Sequence, residues 1–261
     1  MINIIQAKEA FSEYVKMYNL DDTKIALKIK HIYMVADNSR KIAIRVGFNE
    51  EEQQLAELIG LLHDIGRFEQ IRLYNTFVDS KSVNHGELGV KILFEDGLIR
   101  KFVSEDYYDD IIKVAILNHN KGKIDPNISG KTLEFCKVIR DADKLDIFRV
   151  FLSESLEDTH EKADLSEDLV SDEIFREFKY DRYIDYKNRE SSADIMVSHI
   201  AYIYDFNYDY CLKQIRNGRY IEKLIDLANF KNEETIKKMN EIVEIANDYM
   251  DEKLSKAEIN S

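Results

Sequence analysis

Leu55, Leu58, Ile59 and Leu62 recur at helical spacing, and the next position of that apolar stripe is a histidine, His63, followed by Asp64. Asn49 and Glu52 supply a capping box for this helix, and Gly66 is its expected C′ stop. The substitution of an ionisable group for an apolar one recurs along the chain. Ser104 is the expected start of a helix whose inward face runs Ile111, Ile112, Ala115, Ile116 and then His119, four residues after Ala115. Ser129 precedes a stripe of Leu133, Cys136 and Ile139 that continues into Asp143, a carboxylate where a leucine is expected. His85 leads a segment continuing through Leu88 and Ile92, and His31 lies within Ile25, Ile29, Ile32 and Val35. Five helical segments therefore direct four imidazoles and two carboxylates inward. Burying Asp64 and Asp143 without partners is costly, and a hydrogen-bonded polar core is the simpler resolution for any one of them. For the whole set, a cluster of divalent cations is the better one, because imidazole and carboxylate are the ligands that Fe, Mn, Co, Ni and Zn take.

The rest of the chain favours the same all-α class. It has 261 residues with one proline and nine glycines, and Ile, Leu, Lys and Glu are abundant. No run of alternating β-branched residues bounded by hairpin turns appears. No Pro/Gly/Ser linker or internal repeat interrupts it, so residues 1–261 read as a single helical domain, with a metal-binding core over 21–152 and a helical extension over 153–261. Residues 1–20 form a short helix with Ala7, Ala10, Phe11, Tyr14 and Tyr18 on one side, and Asn120–Lys131, holding Pro126, is the clearest internal loop.

A formal net charge of -13 argues against an extended nucleic-acid partner. A small anionic substrate is compatible with it, since bound cations reverse the local field. The start of the chain lacks a basic segment followed by an apolar core, and no apolar run spans a bilayer, so no membrane partner is expected. Cys136 and Cys211 read as buried free thiols of a reduced, cytoplasmic protein.

The order His31, His63-Asp64, His85, His119, Asp143 resembles the HD-domain metal-dependent phosphohydrolase superfamily, in its two-metal branch, over residues 21–152. The resemblance implies that His31, His63, Asp64 and Asp143 hold a first metal, and that His85 and His119 add a second, with Asp64 bridging. The cofactors implied are two divalent transition metals (Fe, Mn, Co, Ni or Zn), and the activity implied is hydrolysis of a small phosphorylated or nucleotide substrate by a metal-activated hydroxide. Asp64, Arg67 and Lys144 are the catalytic candidates. Relatives carry Lys or Arg at the position of Arg67, and Lys144 lies in the characteristic run Asp-Ala-Asp-Lys-Leu-Asp; both suit phosphate. Asp141 or Asp146 is expected to orient a ligand imidazole, and Lys121 and Lys123 are weaker phosphate candidates. The glycine-tyrosine-proline signature of the cyclic dinucleotide branch is absent, and the acidic pair of alarmone hydrolases is replaced by Gly66-Arg67.

Two alternatives share the ligand set. One is a mixed-valent di-iron oxygenase; the other is a non-catalytic, metal-stabilised binding module, against which the intact ligands argue. His160 is expected to be exposed, and His199 to face the core or the cleft, neither as a ligand. In the extension, the acidic run Glu154, Glu157, Asp158, Glu161, Asp164, Glu167 and Asp168 reads as a solvated face. Residues 233–257 form an amphipathic helix through Ile236, Met239, Ile242, Ala246, Tyr249 and Met250, for which packing on the core is the simplest account and a homodimer contact the alternative. Tyr183, Lys187 and Arg189 are expected at the surface.

Overall fold

Asn3 accepts a hydrogen bond from the Gln6 amide and opens α1 (Ile4–Val15); Asp22 does the same for Lys24 at α2 (Thr23–Arg45). At α3 (Glu50–Leu62) the expected capping box is present, the Asn49 side chain on the Glu52 amide and the Glu52 carboxylate on the Asn49 amide. These helices belong to a computed structural model that describes residues 2–160 and 162–259, without the side chains of Asp158, His160, Glu258 and Ile259. The readings of His160 as exposed and of Asp158 and Glu161 as solvated lie outside those described residues. The fold is all-α, and no strand occurs among the described residues.

The chain divides into two compact units, Met1–Asp146 and Ile147–Ser261. The division falls at 146/147, where the sequence reading placed its core boundary at 152/153. A helix runs continuously across both positions: α7 (Gly130–Ser153).

In the first unit α2 and α3 pack closely because Gly60 has no side chain. A Cβ there would stand 2.7 Å from the Ala36 Cα and 2.8 Å from the Ser39 Oγ. Phe11, Ile32, Ile42, Leu55, Leu58, Ile59, Leu61 and Phe68 fill the space beneath, with Phe11 meeting Tyr33 and Phe68 edge-on. Gly66 does not end α3 as a left-handed C′ residue. It is the first residue of α4 (Gly66–Tyr74), and its lack of a side chain serves a close approach to α5 (His85–Val90), which Asn84 caps. Nor does Ser104 start a helix. Its hydroxyl bonds Glu105, and α6 (Asp109–His119) begins five positions later, with Asp109 and Asp110 complementing the helix dipole.

The second unit comprises α8 (Leu156–His160), α9 (Asp172–Arg176), α10 (Ser192–Ile200), α11 (Asp209–Gly218), α12 (Tyr220–Ala228) and α13 (Glu233–Ile259). Met239, Ile242, Ala246 and Met250 of α13 are buried, and α13 packs on α11 and α12. Ile236, read as part of that stripe, is exposed. The acidic run is not uniformly solvated either: Asp168 is buried and pairs with Lys162. Tyr183 and Lys187 are exposed, Arg189 lies over the Tyr186 ring, and His199 packs on Phe151 at 4.3 Å between ring centroids. Both cysteines are buried, and neither forms a disulfide. No helix among the described residues is long and apolar enough to cross a membrane.

Candidate metal centre

Each of the four imidazoles has its Nδ1 engaged, two by a carbonyl of their own helix and two by a carboxylate from elsewhere in the fold. His63 follows the last turn of α3 and donates Nδ1–H to the Gly60 carbonyl at 2.7 Å. His119 ends α6 and donates to the Ile116 carbonyl at 2.6 Å, the same three-residue reach back into its own helix. His31, within α2, donates to the Asp146 Oδ2 of α7 at 2.7 Å, and His85, the first residue of α5, donates to the Asp79 carboxylate at 2.7 and 2.9 Å. An acceptor at Nδ1 places the ring proton there and leaves Nε2 with its lone pair.

The four Nε2 atoms converge on Asp64, which is buried with the rings. Its Oδ1 lies 3.3 Å from His85 Nε2 and 3.6 Å from His119 Nε2; its Oδ2 lies 3.9 Å from His31 Nε2 and 3.7 Å from His63 Nε2. Asp143 Oδ1 stands 3.1 Å from His31 Nε2 and 3.8 Å from His63 Nε2. One carboxylate oxygen thus faces each pair of rings. The donor atoms form three overlapping groups able to hold a metal ion, His31/His63/Asp64, His63/His119/Asp143 and Asp64/His85/His119, each within 4.8 Å.

The polar atoms themselves test that fit. The Nε2 atoms of His31 and His63 are buried without a hydrogen-bond partner. His85 and His119 bring their Nε2 atoms to 2.9 Å, so two lone pairs face each other when both Nδ1 positions carry the proton. Unpaired buried acceptors are costly, and a cation is the partner that suits all of them at once. The residues present fit divalent transition metals.

Residues 29–147, from α2 into α7, match the family model of the HD domain. This segment is an HD domain. Its family is all-helical and generally comprises metal-dependent phosphohydrolases. No curated protein and no solved structure gave a match to the chain.

The electrostatics of the HD domain separate the two kinds of ligand. Burial pushes the His63 imidazole down to about 4, against the pull of Asp64 and Asp143, and pushes His85 to about 4 against Asp79 and Asp64. For His31, burial and Lys28 work downward, but the carboxylates of Asp143 and Asp146 prevail and raise it. Burial opposes ionisation of Asp64, yet Lys28, His63 and Arg67 hold it well below the usual carboxylate range; burial is likewise outweighed at Asp143 by His31 and His63.

Of the two basic candidates near the rings, Arg67 is not a surface ion pair. Its Nη1 donates to Gln70 Oε1, the Phe77 carbonyl and Asp79 Oδ1, and its Nε lies 3.5 Å from Asp64 Oδ1. Part of its fork is therefore committed to the loop after α4. Lys144 is half-buried on α7 beside Asp143, while Lys121 and Lys123 are exposed. Asp146 is buried and bonds the His31 ring; Asp141 is buried too.

Two neighbours escape sequence reasoning. Lys28 places its Nζ 2.7 Å from Asp64 Oδ2 and 5.6 Å from the Phe77 ring centroid, over which Arg67 also lies. Its spacing of three from His31 on α2 was the available signal. Asp79 sits in a short 3₁₀ turn, outside any helical period, and only the folded chain brings it to His85.

Proposed function

We propose that the HD domain hydrolyses a small phosphorylated or nucleotide substrate at a site holding two divalent transition metals. The observation that carries this reading is the division of Asp64, with Oδ1 turned to His85 and His119 and Oδ2 to His31 and His63. His31, His63, Asp64 and Asp143 would hold one cation, and Asp64, His85 and His119 the other. When bound, such a pair supplies Lewis acidity toward phosphoryl oxygens and lowers the pKa of water near neutrality.

The chain's own residues supply the rest. The Nδ1 hydrogen bonds keep four rings aimed at one volume, so the ligand atoms need little reorganisation. Arg67 and Lys28 set two positive charges beside Asp64, which favours an anionic substrate despite the net acidity of the chain. The half-buried Asp143, with a side chain 22% exposed, marks the solvent-accessible side of an otherwise closed cluster.

The test combines elemental analysis of anaerobically purified protein with phosphate release from a panel of phosphate esters and nucleotides, and with oxygen consumption. Two equivalents of metal and phosphate release, both abolished in Asp64→Ala, are expected. Oxygen consumption without phosphate release would instead move the same ligands to di-iron oxygenase chemistry, and turnover retained in Asp64→Ala would sink the reading.

A further inference from the structure

Asp79 takes up the donors of three elements on one carboxylate. His85 Nδ1 meets Oδ2 at 2.7 Å and Oδ1 at 2.9 Å; Arg67 Nη1 and Gln70 Nε2, both from α4, each reach Oδ1 at 2.9 Å; Asn120 Nδ2, from the end of α6, reaches Oδ2 at 3.3 Å. Gln70 is fully buried and also donates to Ser82 Oγ and the Val83 carbonyl, both at 2.9 Å, which fastens the segment that follows Asp79. The turn is therefore fixed to α4 and α6, and through Asp79 that fixation reaches one ring, His85.

The other three rings are held differently. His63 and His119 rely on a carbonyl of their own helix, and His31 on Asp146 of a long helix. His85 is the one whose orientation depends on a loop. A carboxylate at Nδ1 does more than a carbonyl does: it fixes the tautomer, holds the ring plane and raises the donor strength of Nε2. Arg67 closes the circuit, because it touches Asp79 through Nη1 and approaches Asp64 Oδ1, the oxygen that faces His85, through Nε.

We infer that Asp79 is a positioning residue that sets the metal affinity of the Asp64/His85/His119 end separately from the His31/His63/Asp143 end. This rests on the two-metal reading above. It assigns different affinities to the two ends, with the loop-held end the one that responds to changes in the turn.

The test is metal stoichiometry and chelator competition on the full chain, loaded with cobalt(II), for the wild type, Asp79→Ala, Asp79→Asn and Asp146→Ala, with circular dichroism as the measure of folding. Asp79→Ala is expected to keep one equivalent at wild-type affinity and to weaken the other by about 10- to 100-fold. In Asp79→Asn the amide oxygen still accepts from His85 Nδ1–H, so part of that loss is recovered and the turn keeps its acceptor for Arg67. Asp146→Ala is expected to weaken the opposite equivalent. Two equivalents in Asp79→Ala with unchanged competition would overturn the inference, and so would a folded Asp79→Ala or Asp79→Asn that loses both equivalents together. A wild type that binds a single equivalent strikes the two-metal reading itself, an outcome distinct from either of these.

Discussion

Gly66 and His85 approach so closely that a Cβ on Gly66 would stand 2.3 Å from the His85 carbonyl oxygen and 2.6 Å from the Gly89 amide nitrogen. Both obstacles are backbone, so neither can turn aside as a flexible side chain would. Gly66→Ala must therefore push α5 away from α4, and His85 moves with it. The expected cost is at least about 2 kcal/mol of stability, by the usual scale of overpacking, together with loss of metal at the His85 end. Denaturant unfolding and elemental analysis read the two effects; a variant of wild-type stability and metal content would show that the helices have room to spare.

A stability change need not reach the metals. Glu57, 4% exposed on α3, holds the Lys8 ammonium at 2.5 Å and the Arg40 guanidinium at 3.1 Å. Both cations are partly exposed and can rehydrate when the carboxylate is lost, so Glu57→Gln is expected to cost about 1–3 kcal/mol, less than a fully buried pair would. Metal content should not change. Loss of metal in a folded Glu57→Gln would mean that the α1–α2–α3 packing sets the position of His31 and His63 more tightly than their own hydrogen bonds do.

The helices and the inward placement of the ionisable residues were legible because both follow from local periodicity. His63 after Ile59, His119 after Ala115 and Asp143 after Ile139 each extend an apolar stripe, and the folded chain brings His31, His63, Asp64, His85, His119 and Asp143 into one cluster. What escaped reading is tertiary. Gly66 looks like a helix stop until α5 is seen lying against it, and Ser104 looks like a cap until its hydroxyl is found on Glu105. Asp79 belongs to a turn without a period, and Lys28 gains its partner only when the turn between α3 and α4 brings Asp64 to it. Local pattern carries which residues face inward; it does not carry which neighbour meets them.

The cysteines offer a check on the interior away from the metals. Burial pushes the Cys136 thiol up to about 11, and Cys211 is fully buried. At pH 8 a thiol of that pKa is thiolate in roughly one molecule per thousand, and the reagent must also reach it. An aromatic disulfide reagent that releases a coloured thiolate is expected to titrate neither cysteine in the native protein and both after denaturation. Prompt reaction of one thiol in the native state would place an opening at α7 or α11.

Lys28 gives the sharpest electrostatic prediction. Its ammonium lies 2.7 Å from Asp64 Oδ2, the oxygen that faces His31 and His63, with its side chain 19% exposed. In the metal-free chain it offsets the charge of a buried carboxylate; toward an incoming cation it is a like charge at the same oxygen. Lys28→Met keeps the stem that packs near Phe77 and removes the charge. At an effective dielectric of about 20, charges about 4 Å apart interact by roughly 4 kcal/mol, so even after relaxation the variant is expected to bind metal on the order of tenfold more tightly. The same change leaves Asp64 without its ion partner when no metal is bound, so the thermal midpoint of the metal-free protein falls. Added metal should then raise that midpoint by more than it does in the wild type. Equal metal affinities in chelator competition would mean that Lys28 leaves Asp64 at no energetic consequence, and that its ammonium plays no part in setting the charge of the centre.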